Sequence, residues 1–77
     1  MPIVARTRFV AGRAVCDVRT YQIHRRDGSP SVRFSIGAVD GLDVSSGERT
    51  IDVIRAVRVE AERRSGVVST SGDGAPA

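Results

Sequence analysis

The sequence predicts a mainly β fold: a small curved antiparallel sheet, left incomplete, followed by one short C-terminal helix. Three observations predict it. β-branched and aromatic residues recur in runs through the first forty positions, and the runs are separated by Gly-containing turns. Residues 31–38 alternate apolar and polar with a period of two. The chain has 77 residues, which is room for one domain and one core. The alternative is an α+β fold with a ββ(β)α layout, and the state of residues 50–59 decides between them.

Residues 3–10, IVARTRFV, read as the first strand. Gly12 follows, and a second β-rich stretch runs from Ala14 to His24. Arg25-Arg26-Asp27-Gly28-Ser29-Pro30 reads as a turn, because Asp-Gly supports the positive φ that hairpin turns need. In residues 31–38, Val32, Phe34, Ile36 and Ala38 share one face, expected to be the core face. Arg33, Ser35 and Gly37 share the other, expected to be wet. Residues 40–49 read as loop, with Leu42 and Val44 able to form a short strand. The segment 50–64 fits two patterns. As a helix it lines up Thr50, Val53, Ile54, Val57 and Ala61, with Glu60 four residues before Arg64. As a strand it lines up Ile51, Val53, Val57, Val59 and Ala61. The β-branched residues of 50–59 favour a strand over 50–57, and Ala61 to Arg64 favour a short helical turn after it. A single domain over 1–64 is expected, then a small, polar, disordered tail over 65–77.

Composition narrows the function. The lone cysteine, Cys16, rules out an internal disulfide framework, and no apolar run approaches the ~20 residues of a membrane helix. The N-terminus is interrupted by Arg6 and Arg8 and lacks the apolar stretch of a signal peptide. A cytoplasmic protein is expected. His24 is the only histidine and sits beside a predicted turn, where it reads as surface. Cys16 and His24 could meet only by accident of pairing, and a nucleophile also needs an orienting base and an oxyanion site. No set of metal ligands has workable spacing, and the glycines match neither a phosphate loop nor a dinucleotide fingerprint. Asp40 and Asp43 read as loop-solvating carboxylates. The expectation is a non-enzyme with no cofactor and no metal.

All twelve basic residues are Arg, and residues 1–35 hold seven of them against only Asp17 and Asp27. A basic N-terminal half suits a polyanionic partner.

Three segments carry a resemblance. Phe9-Val10-Ala11-Gly12-Arg13-Ala14, with Asp17 beyond, comes first. Gly28-Ser29-Pro30-Ser31-Val32-Arg33-Phe34-Ser35-Ile36-Gly37-Ala38 follows, and then Thr50-Ile51-Asp52-Val53-Ile54, with Ala61-Glu62 later. In this order they resemble the single-stranded-DNA-binding protein family, in a shortened and divergent form. The resemblance implies an OB-like sheet whose Arg residues track the phosphate backbone. It departs from the family where stacking aromatics would fall, since Ile51, Ala56 and Val57 stand there, and where closing strands would follow the helix. The candidate contacts are Arg13, Arg19, Arg25, Arg26, Arg33 and Arg55, with Arg33 best placed on the wet face. Tyr21 is the one stacking platform, Phe9 and Phe34 being expected in the core.

A second resemblance competes. Val39-Asp40-Gly41-Leu42, followed by a polar turn and a helix, is similar to HicB-like antitoxin domains, and implies a protein partner in place of nucleic acid. A similar layout occurs in small arm-type DNA-binding domains of integrases. A third reading is a phage or mobile-element protein with no ligand beyond itself. Missing closing strands would leave open sheet edges, so a homodimer is expected.

Overall fold

The computed structural model describes residues 2–66. Four strands, β1 (Ile3–Ala11), β2 (Ala14–Ile23), β3 (Val32–Val39) and β4 (Leu42–Gly47), precede one helix, α1 (Thr50–Ser65). The strands form an antiparallel meander in the order β1-β2-β3-β4. Among the described residues the sheet does not close, and β1 and β4 are both edges. The fold is therefore mainly β with a ββββα layout: the open sheet and C-terminal helix are those the sequence predicts, and the helical state of residues 50–59 is the one expected of the ββ(β)α alternative.

Two turns are tight. Gly12 and Arg13 join β1 to β2, with Gly12 at φ 59°. Asp40 and Gly41 join β3 to β4 with φ of 48° and 85°. Positive φ at both central positions is the geometry whose twist matches paired strands, and Asp-Gly is a preferred pair for it. Asp40 also ties the turn down: its Oδ1 accepts from the Val15 N–H at 3.0 Å, and its own N–H donates to the Val15 carbonyl at 2.8 Å. Residues 42–47, read above mainly as loop, form β4 as a result. Asp27-Gly28 lies inside a longer β2–β3 loop, where Asp27 Oδ1 accepts from the Ser29 N–H at 2.9 Å.

Residues 50–57 are helical, which corrects the strand expected there. Their β-branched residues favour a strand locally, but they pack over one face of β2, β3 and β4 and do not join the sheet. The helical stripe of the sequence is the one realised: Val53, Val57 and Ala61 are buried, with Ile54 packed beside them. Burial of that stripe overrides local preference. Asp52 in the first turn and Arg63 and Arg64 in the last suit the helix dipole. Glu60 accepts from Arg63 and, as the spacing predicts, from Arg64 at 2.6 Å. Gly66 caps the helix in the left-handed region at φ 76°, its N–H donating to the Arg63 carbonyl. The helix thus includes Ser65, whose hydroxyl accepts from the Arg13 N–H at 2.8 Å. The rest of the tail expected from residue 65 onward lies outside the described residues.

α1 crosses one face of β2, β3 and β4 and barely reaches β1. The sheet residues beneath it are small. Cys16 pairs with Val39, Val18 with Gly37 and Thr20 with Ser35, and all six are buried. A Cβ on Gly37 would stand 2.8 Å from Val53 Cγ1 and closer still to Val57 Cγ2. The absence of a side chain there lets the helix sit down on the sheet. This reverses the faces expected for β3. Ser35 and Gly37 are in the core, while Phe34 and Ile36 lie on the opposite, open face. A close-packed helix selects small residues, and Ser and Gly are easily taken for a wet surface.

Candidate nucleic-acid interface

Among the described residues, no element covers the face of the sheet away from α1. Pleating places Arg6, Arg8 and Val10 of β1 on it, with Asp17, Arg19, Tyr21 and Ile23 of β2, Val32, Phe34 and Ile36 of β3, and Asp43 and Ser46 of β4. At its centre Tyr21 and Phe34 are directly opposed across the two inner strands. Both rings are half-buried. Ile23 and Val32 form the next pair along the same face, and Arg19 and Ile36 the preceding one.

Around Asp17 the charges are dense. Arg6 grips it with two hydrogen bonds, Nε to Oδ1 and Nη2 to Oδ2, each 3.0 Å. Arg8 Nε stands 3.7 Å from Oδ1 and Arg19 Nε 3.8 Å from Oδ2. At 3.8 Å the last is an ion pair and not a hydrogen bond, and Arg19 Nε is buried without a hydrogen-bond partner among the described residues. Arg19 spends its other end on Asp43, Nη2 to Oδ1 at 2.7 Å. The Arg6 hydrogen bonds hold the Asp17 carboxyl below its ordinary range, against the opposing effect of partial burial; the nearby Arg8 and Arg19 charges act in the same direction as Arg6. The Arg6 guanidinium is pushed up in return by its bond to Asp17. Three guanidinium groups thus face two carboxylates, and Arg8 is the most exposed of the three.

The predicted site residues separate in space. Arg19 and Tyr21 lie on the open face. Arg25 and Arg26 are exposed in the β2–β3 loop just beyond Ile23. Arg13 is exposed in the β1–β2 turn, at the other end of the sheet. Arg33, expected to be the best placed, faces the helix side at the strand's start and donates Nε to Gln22 Oε1 at 3.1 Å. Arg55 is exposed on α1. Arg13, Arg33 and Arg55 therefore do not join Arg19, Tyr21, Arg25 and Arg26. Phe9 packs against the core as expected, with the Arg58 guanidinium 5.2 Å from its ring centre. Sequence reasoning missed Arg6, Arg8, Phe34 and Asp43. The alternation of Arg6 and Arg8 in β1 was the available signal, because it places both on the face that carries Arg19.

The structure does not bring Cys16 and His24 together. Cys16 is fully buried, and burial pushes its thiol up. His24 bonds Ser31 at 2.8 Å in the loop, past the far end of β2 from Cys16. Among the described residues no group of His, Cys, Asp and Glu could hold a metal ion, and no helix is long and apolar enough to cross a membrane. Comparison with family models, curated proteins and solved structures returns no match.

Proposed function

We propose that the protein is a non-enzymatic, cytoplasmic binding module that holds single-stranded nucleic acid across the open face of its sheet. The observation that carries this reading is the opposed Tyr21–Phe34 pair on the two central strands, flanked by arginines. Bases present a π-face whatever their sequence, and an antiparallel sheet with aromatics on its inner strands is a sequence-tolerant stacking surface. Arg8 at one end and Arg25 and Arg26 at the other are the cations for the backbone. Arg6 and Arg19 are engaged with acidic partners and set the platform's edge.

Tyr21 is the only tyrosine and there is no tryptophan, so intrinsic emission reports directly from the site. Adding an oligo-dT should quench it, with duplex DNA a poor competitor. Three phosphate contacts would give a slope of log K against log salt of about −2. Removing one stacking ring, by Tyr21→Ala or Phe34→Ala, should weaken binding about 5- to 150-fold, read by fluorescence anisotropy. An unquenched Tyr21 at low salt, with no anisotropy change, would refute this function.

A second reading has one observation in its favour. The helical state of residues 50–65 suits a protein-interaction module of HicB-like antitoxin or mobile-element type better than a closed barrel. Under that reading the same open face receives a protein, and no oligonucleotide binds.

A further inference from the structure

On the open face, beside Phe34, the sheet forms a groove of about 450 Å³ between β3 and β4. Phe34 and Ile36 supply the apolar wall, and Asp43, Val44, Ser45 and Ser46 the other side. Beside the groove, β4 slips against β3 between Gly37 and Ala38, so that Asp43 and Ser46 share the face with Phe34 while Val44 packs against the core. Bulges of this kind re-aim side chains at sheet edges.

The polar groups in the groove have a defined sense. Asp43 is a pure acceptor. Its Oδ1 is held by Arg19 Nη2 at 2.7 Å, which fixes the carboxylate and offsets its charge. Its Oδ2 has no hydrogen-bond partner among the described residues, and the side chain is well exposed. A carboxylate oxygen beside an aromatic wall matches a flat ring that bears an amino group at its edge. Cytosine offers an N4 amino donor, and Asp accepts from it readily. Thymine offers a carbonyl O4 at the same position, which faces the carboxylate without a proton between them.

We propose that this groove is a base-recognition subsite for a nucleobase with an exocyclic amino group, cytosine foremost, seated against Phe34 with its amino group donating to Asp43. This rests on the single-strand reading above and adds a base preference to a surface that stacking alone would leave indifferent. Asp43 is then a specificity residue, and Arg19 a positioning residue that acts through it.

The test compares oligo-dC and oligo-dT of equal length at one salt concentration and mildly alkaline pH, using the wild type, Asp43→Ala and Asp43→Asn. The wild type should bind oligo-dC about tenfold more tightly than oligo-dT, the worth of one hydrogen bond to a charged acceptor. Asp43→Ala should abolish the discrimination. Asp43→Asn presents an amide that donates to a carbonyl, and should move the preference toward oligo-dT, a reversal that damage to the fold would not produce. Equal wild-type affinities, or discrimination that survives Asp43→Ala, would overturn the subsite and leave single-strand binding standing. Failure of every oligonucleotide to bind would overturn both.

Discussion

Gly37→Ala probes the seating of α1 on the sheet. Gly37 lies under α1, and an added Cβ would meet Val53 Cγ1 at 2.8 Å and intrude further on Val57 Cγ2. Both valines are at most 1% exposed, so neither has free space to move into. Forcing an extra carbon into a packed core costs about 1–3 kcal/mol. The φ at Gly37 is not positive, so the backbone accepts alanine, and the loss of unfolded-chain freedom returns about 0.4–1 kcal/mol. The net expectation is a destabilisation of about 1–2 kcal/mol. A domain of this size has only about 3–10 kcal/mol in total. With a urea dependence near 1 kcal/mol per molar, the unfolding midpoint should fall by about 1–2 M. Val57→Ala alone should also destabilise, by about 2 kcal/mol. Together, the new Cβ occupies the space that Val57 Cγ2 vacates, and the double variant should be at least ~1 kcal/mol more stable than the two single effects added. Urea melts of the four proteins complete the cycle. A Gly37→Ala protein as stable as the wild type, with strictly additive effects, would refute the seating of the helix on Gly37.

Ser35→Ala should cost about 1–2 kcal/mol in the same melts. The Ser35 hydroxyl lies 2.8 Å from Thr20 Oγ1 and 2.9 Å from Thr50 Oγ1, and its loss leaves those two only each other, 3.4 Å apart; unchanged stability would mean that water already serves them. The Asp17 carboxyl is depressed in the folded state, so its stabilising effect is present above the ordinary carboxyl range and is lost as pH falls through the folded value. The melting-temperature gap between wild type and Asp17→Asn should therefore hold near neutrality and close below about pH 4; a gap that persists at lower pH would place the effect outside the Arg6–Asp17 pair. The free edge of β1, nine residues long and carrying the exposed Ile3, Val4 and Val10, is expected to pair with a second copy, and sedimentation showing only monomer across the micromolar range would exclude that dimer.

The strands were legible because their signal is local. β1, β2 and β3 lie within a residue or so of the spans predicted from β-branched runs and Gly punctuation. β4 was half legible: the Asp40-Gly41 pair is as strong a hairpin signal as Asp27-Gly28, and it marks the tight turn. What the alternation of 32–38 does not reveal is which face is covered. The larger set, Val32, Phe34 and Ile36, looks like core, yet the helix needs the smaller set, and that choice depends on Val53 and Val57 some twenty residues away. The same non-local dependence hid α1, whose sequence favours a strand until the sheet beneath it exists. The error propagated to the site. The alternation of 32–38 puts Phe34 inside and Arg33 on the wet face, whereas the register sets Phe34 opposite Tyr21 on the open face.

The meander connectivity bears on the order in which the chain folds. Each strand after the first pairs with the one just before it, and two of the three connections span only two residues. Such contacts form with little loop-closure cost, whereas α1 must come back across β2 and β3 to reach its seat. The sheet should accordingly assemble first and the helix dock on it afterwards. In a chevron experiment Gly37→Ala would then leave the refolding rate near that of the wild type and speed unfolding. A slowed refolding limb would instead place helix docking inside the rate-limiting nucleus.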